Sequence, residues 1–266
     1  MTGATTPDTG LDRIRAAFAA VDGRAALMPY LMGGFPDLDA SLAIGEAYAD
    51  GGADLVELGV PFSDPLADGP VIHAAGTRAL ASGATVPAVI ELGRALAERV
   101  PVVLMCYANL VMARGVERFA DELAAAGLSG LIVPDLPLEE SEATLAACDA
   151  AGLALVPLVA PTTPEDRLRR IGAQARGFVY TVSVTGTTGE RTELDPAALL
   201  ARVRAHVRVP LALGFGIARP EQAAAAAAAG ADGVIVGSRL VRAAGEASDP
   251  AAAVAALVAE FAAALR

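Results

Sequence analysis

The sequence predicts an α/β fold, a (β/α)₈ TIM barrel with an extra N-terminal helix. Three observations carry this. Eight short apolar runs alternate with Ala-rich amphipathic segments at intervals of about 25–35 residues. The runs are almost continuously apolar, as in a parallel sheet covered on both faces. The length, 266 residues, is about that of one such barrel.

The elements follow in order. The extra helix is expected at residues 8–20, ahead of the first strand. Strands are expected at 25–32, 54–60, 101–107, 130–134, 154–159, 177–184, 210–215 and 233–236. Helices are expected near 38–50, 86–98, 115–126, 139–150, 164–173, 195–205, 219–229 and 250–265. Asp37, Thr163-Pro164, Asp195-Pro196 and Arg219-Pro220 mark helix starts. Gly51-Gly52, Gly127 and Gly230 mark helix ends. No linker is long or polar enough to divide the chain, so residues 1–266 are expected to form one domain. The competing architecture is an open doubly wound sheet. The lack of a Gly-x-Gly-x-x-Gly after the first strand counts against it.

Composition removes several function classes. A net charge of −11 argues against nucleic acid and against a polybasic membrane contact. It also repels anionic substrates at long range, so any phosphate site must be built locally from backbone N–H groups. No stretch reaches the roughly 18 apolar residues of a membrane span, and no secretory segment opens the chain. A cytoplasmic protein is expected. Cys106 and Cys148 read as reduced thiols in or near the core. All 20 basic residues are arginine. Without lysine, Schiff-base aldolase chemistry and covalent attachment of pyridoxal phosphate are excluded for this chain. His73 and His206 are far apart, so no metal site is expected.

In such a barrel the chemistry sits at the C-terminal ends of the strands. Strand two carries Glu57 between Val56 and Leu58, so alternation points its side chain into the barrel. An inward carboxyl in apolar surroundings titrates near neutrality and can move protons. A structural core glutamate is the other reading. The following segment favours the functional one. Residues 59–70, with three prolines and two aspartates, form a stiff loop that can hold Asp68 over the barrel mouth. Asp64 reads as a turn former or a partner contact.

Opposite lie glycines. Strand six leads into Ser183-Val184-Thr185-Gly186-Thr187-Thr188-Gly189, strand seven ends at Gly214-Phe215-Gly216, and strand eight ends at Gly237-Ser238 before a short helix. Loops seven and eight with such a helix form the recurring barrel phosphate site. Turn glycines are the competing explanation. Tyr180 on strand six is either core or functional. Tyr107, Asn109 and Asp135 stand at the ends of strands three and four as weaker candidates, and Asp135 before Leu136-Pro137 reads as a turn cap.

The run from Val56 to Pro70 resembles the signature of the tryptophan synthase alpha subunit family. Tyr107-Ala108-Asn109, Pro134-Asp135-Leu136-Pro137, the Thr185–Gly189 segment, Gly214-Phe215-Gly216-Ile217 and Gly237-Ser238 match it in order, from about residue 11 onward. The resemblance implies reversible cleavage of indole-3-glycerol phosphate to indole and glyceraldehyde 3-phosphate. It implies Glu57 as acid/base and Asp68 as the partner of the indole N–H. Tyr180 would support Glu57, and Thr188 would close over Asp68. Gly189, Gly216, Gly237 and Ser238 would hold phosphate, and Tyr30 and Met105 would wall the indole pocket. It further implies an αββα tetramer with a beta subunit that carries pyridoxal phosphate, and no cofactor in this chain. A non-catalytic phosphate-binding barrel that activates a partner is the alternative.

Overall fold

The computed structural model describes residues 9–21, 23–182, 195–214 and 216–266. Within them the strands are β1 (Ala26–Met32), β2 (Val56–Gly59), β3 (Val102–Met105), β4 (Gly130–Ile132), β5 (Ala154–Val156), β6 (Leu158–Val159), β7 (Val179–Val182), β8 (Leu211–Gly214) and β9 (Gly233–Val236). They form one parallel sheet in the order β5-β4-β3-β2-β1-β9-β8-β7-β6. Its two ends, β5 and β6, are consecutive in the chain and separated only by Pro157. Proline has no N–H for a ladder, so the run expected at 154–159 splits there. The Pro157 carbonyl still accepts from the Tyr180 N–H at 3.0 Å. The run pairs with β4 before the proline and with β7 after it. The ring therefore closes through one bent stave, and nine segments amount to the eight strands expected.

Strand alternation sorts the core into two layers. Met28, Val103, Ile132, Val156, Ala212 and Ile235 fill the barrel interior. Leu27, Leu58, Leu104 and Val234 face the helices. Each large apolar side chain, fully buried, contributes about 1.5–3 kcal/mol.

The expected helices appear as Leu38–Asp50, Val86–Ala97, Val116–Ala125, Glu142–Ala150, Glu165–Gln174, Pro196–Arg204, Pro220–Ala228 and Pro250–Ala264. Asp37 and Asp195 cap theirs by accepting the Ala40 and Ala197 N–H groups. Thr163 does not: its hydroxyl accepts from Ala160 N–H within the preceding turn, and Pro164 takes the capping position. Pro70–Ala81, which carries His73 in the helical setting its sequence suggests, and Ala108–Arg114 are further helices outside the ranges given above, and Ser238–Glu246 is the short helix expected after Gly237.

The N-terminal helix, Gly10–Ala20, closes the bottom of the barrel. Its Ile14 is fully buried in the interior layer, and Phe18 packs on Phe178 with ring centroids 5.8 Å apart. Arg13 donates to the carbonyls of Ala97 and Gly127, where two barrel helices end. Helix C-termini leave such carbonyls without partners. Arg13→Ala is therefore expected to lower unfolding free energy by about 2 kcal/mol. Urea denaturation reads this directly, and an unchanged midpoint would remove Arg13 from the closure.

The repeated Gly-Ala-Asp at 52–54 and 230–232 also has a structural use. Asp54 accepts from Leu27 N–H and binds Arg24 through both oxygens, at 2.7 Å each. Asp232 accepts from Leu211 N–H and binds Arg204. These pairs tie neighbouring strand starts together. Arg24, Arg204 and Asp232 line a cavity of about 690 Å³ at the N-terminal end of the barrel, away from the strand ends where barrel chemistry sits. These two arginines are already engaged by aspartates, so the cavity is not the candidate site. Among the described residues no helix is long and apolar enough to cross a membrane, and no cluster of His, Cys, Asp or Glu could hold a metal ion.

Candidate active site

The register of β1, β2 and β3 sets the polar residues of the mouth side by side. Tyr30 pairs with Glu57, and Gly59 with Met105. Glu57 is 2% exposed, and its Oε2 has no hydrogen-bond partner among the described residues. Burial, and then the charge of Asp68, push its pKa up to about 8. A carboxyl in that state carries its proton at pH 7 and can deliver it.

Two glycines make room for the tyrosines of the mouth. A Cβ on Gly59 would fall 2.0 Å from the Tyr30 hydroxyl, and one on Gly214 would fall 2.5 Å from the Tyr180 hydroxyl. Gly214 thus makes room for the packing of Tyr180. Tyr180 is buried, and burial with the nearby Glu57 charge raises its pKa well above the usual range. Tyr30 is raised likewise by burial, then by Asp68 and Glu57, so its hydroxyl feels both carboxyls. Met105 is half-buried at the end of β3.

Asp68 sits on the loop after β2, half-exposed, just before the helix Pro70–Ala81. Desolvation raises its pKa, while a hydrogen bond from Tyr107 and the nearby His73 pull it back. Tyr107, a weaker candidate on sequence grounds, holds this loop. Its hydroxyl accepts from Ala67 N–H at 3.0 Å and donates to Asp68, and its ring stacks on Phe62 with centroids 5.2 Å apart. Nothing in the sequence marks this, because these residues meet only through the β2–β3 neighbourhood. His73 is exposed on its helix, as its helical setting suggests, yet close enough for its charge to act on Asp68. His206 is tied to Glu165 at 2.5 Å, away from the mouth. Asn109 is exposed, and Asp64 accepts from Ser63 on the outside of the loop.

Across the mouth, Gly216 has φ +89° and open space on its Cβ side. Gly237 caps the helix Ser238–Glu246, whose first amides have no acceptor within the helix. These N–H groups and the exposed Ser238 hydroxyl can together take an anion. A Cβ on Gly237 would lie 3.6 Å from the Tyr30 Cβ, an ordinary contact. A small side chain therefore meets no clash there, and charge becomes the test. Gly237→Ala is expected to keep KM for a phosphorylated substrate within about twofold, while Gly237→Asp raises it about tenfold or more through like-charge repulsion. Equal effects of the two variants would remove the phosphate from this position. Thr188 and Gly189 lie outside the described residues, as does the whole segment 183–194.

Cys106 and Cys148 are both buried free thiols, as expected.

Comparison with known proteins points one way. The family described as "Tryptophan synthase alpha chain" matches residues 17–266. The tryptophan synthase alpha chain of Prochlorococcus marinus (strain MIT 9313) is 50% identical over 225 residues, covering 83% of this chain and 82% of the relative. That of Methanosarcina mazei is 49% identical over 224 residues, covering 84% and 83%. A structure of tryptophan synthase from M. tuberculosis in an open form superposes with a TM-score of 0.87 at 39% identity, covering 95% of this chain and 98% of the other. A structure from the tryptophan synthase α₂β₂ complex of Pyrococcus furiosus gives a TM-score of 0.82 at 34% identity, covering 90% and 98%.

Proposed function

The chain belongs to the tryptophan synthase alpha chain family, and we propose from this that it cleaves indole-3-glycerol phosphate reversibly to indole and glyceraldehyde 3-phosphate, with Glu57 moving the protons. The observation that carries the assignment to Glu57 is its setting: an inward carboxyl, 2% exposed, whose Oε2 has no hydrogen-bond partner among the described residues and whose pKa burial pushes up to about 8.

The steps balance on this chain's own groups. Glu57 gives its proton to C3 of the indole ring, and the ring becomes a cationic indolenine. Asp68, ionised, accepts the hydrogen bond of the ring N–H and stabilises the positive charge. The glutamate so formed takes the proton of the adjacent side-chain hydroxyl. The bond between C3 and the side chain breaks, its electron pair returns to the ring, and the hydroxyl carbon leaves as an aldehyde. The ring is the electron sink, so neither lysine nor metal is required. Tyr180 and Tyr30 fence Glu57, and Tyr30 and Met105 wall the indole pocket. Gly216, Gly237, Ser238 and Gly189 hold the phosphate, and Thr188 closes over Asp68. A barrel that bound phosphate only to activate a partner would have no use for a buried carboxyl held in its neutral form.

The chain is the alpha subunit of an αββα tetramer, and pyridoxal phosphate belongs to the beta subunit, which converts the indole to tryptophan. Its place is the cytoplasm, with the rest of amino-acid biosynthesis. The test is indole release from indole-3-glycerol phosphate by the purified chain, alone and with a beta subunit. Indole and glyceraldehyde 3-phosphate in equal amounts are expected from the chain alone. No indole in either condition would overturn the reading.

A further inference from the structure

We propose that Asp135 is a positioning residue for Asp68, acting through Tyr107 across three consecutive loops of the barrel mouth. The chain of contacts is continuous. Asp135 Oδ1 accepts the Ala108 N–H at 2.8 Å. Ala108 is the first residue of the helix Ala108–Arg114, and Tyr107 is its N-cap. Tyr107 itself offers that helix no side-chain cap, so the carboxylate from the next loop supplies one. The backbone that fixes the Tyr107 ring is thereby held from outside. The hydroxyl of that ring then grips the Ala67 N–H and Asp68.

The far end of the relay is itself anchored. The Val133 carbonyl accepts from Leu136 N–H at 3.2 Å, closing the turn around Asp135. Ser141 donates to the Leu138 carbonyl at 2.8 Å. Glu139 is bound by Arg167 and Arg170 of the helix Glu165–Gln174. Among the described residues the carboxylate on this fixed turn has one hydrogen-bond partner, the Ala108 amide. This goes beyond the turn-cap role expected from Asp135-Leu136-Pro137: the residue caps a helix of the neighbouring loop, and that helix begins at the residue holding Asp68.

The experiment compares wild type, Asp135→Ala, Asp135→Asn and Tyr107→Phe in the full chain. The inference rests on the proposed lyase reading only for its kinetic arm. There, Asp135→Ala is expected to lower kcat for indole release about tenfold while KM stays within about twofold, because the phosphate site is on the opposite side of the mouth. Asp135→Asn keeps the acceptor oxygen and is expected to retain most of the activity. In the Tyr107→Phe background, Asp135→Ala is expected to cost less than about twofold, since the relay is already cut. The second arm needs no turnover: carboxyl ¹³C titration of Asp68 in labelled protein. Losing the Tyr107 bond raises the Asp68 pKa, so Asp135→Ala moves its titration to higher pH and Asp135→Asn leaves it in place. An unmoved Asp68 titration in Asp135→Ala overturns the proposal, as does equal damage from Asn and Ala. If wild type releases no indole, the lyase reading falls, and the titration still decides the role of Asp135.

Discussion

Glu57→Gln is expected to lower kcat for indole release by about a thousandfold, the scale of a lost general acid and base, while KM changes little because the phosphate contacts stay. The same substitution is expected to stabilise the protein. At pH 7 an unfolded chain ionises this glutamate, whose ordinary pKa is 4.5, whereas the fold keeps it protonated up to about 8. The native state thus binds the extra proton between those values, and stability falls as pH rises from 4.5 to 8. At pH 7 the mismatch costs on the order of 3 kcal/mol. Glutamine is neutral at every pH and escapes it. Urea unfolding at a series of pH values should show a gain that is small near pH 4.5, grows to about pH 8 and is flat above. A gain independent of pH, or none, would mean that Glu57 is not held neutral. Unchanged turnover would remove it from the chemistry.

Asp68→Asn is expected to lower kcat about a hundredfold, as for a lost electrostatic contact to developing charge. It is also expected to change the shape of the pH profile. In the proposed mechanism, cleavage needs Asp68 ionised and Glu57 protonated. Activity in the wild type therefore rises as Asp68 loses its proton and falls as Glu57 does, near pH 8. Burial raises Asp68, so the acid limb lies above the ordinary aspartate range. Asp68→Asn should erase that limb and keep the alkaline one. A surviving acid limb would give it to another group.

Much of the barrel and half of its mouth are legible in the amino-acid order, for reasons that can be traced. Apolar runs separated by Gly-capped helices give a parallel barrel because each run has to be covered on both faces. Glu57 stands out because strand parity alone turns it inward, and the fold leaves it 2% exposed. The start of the helix Pro70–Ala81 is hidden, although His73 within it reads as helical, because Pro70 belongs to a Pro-rich segment with the look of a loop. Proline at the first helical position is nonetheless well suited to starting a helix. Gly214 looks like Gly216 in the sequence, and only a neighbouring strand reveals that its missing Cβ admits the Tyr180 hydroxyl. The support given by Tyr107 and Asp135 runs between loops 27 or more residues apart, beyond the reach of local pattern.

The fit of Tyr30 into the space over Gly59 has a consequence for altering the pocket. The two positions behave as one steric unit spread over adjacent staves. Alanine at 59 demands a residue at 30 smaller than an aromatic ring, because its Cβ would lie 2.6 Å from the Tyr30 Cζ as well as 2.0 Å from the hydroxyl, and a short residue at 30 leaves a gap that a larger residue 59 can fill. Selection for ring-substituted indoles that varies either position alone will sample mostly collisions or holes. Paired libraries, coupling 30 with 59 and 180 with 214, are where new ring specificities should be found.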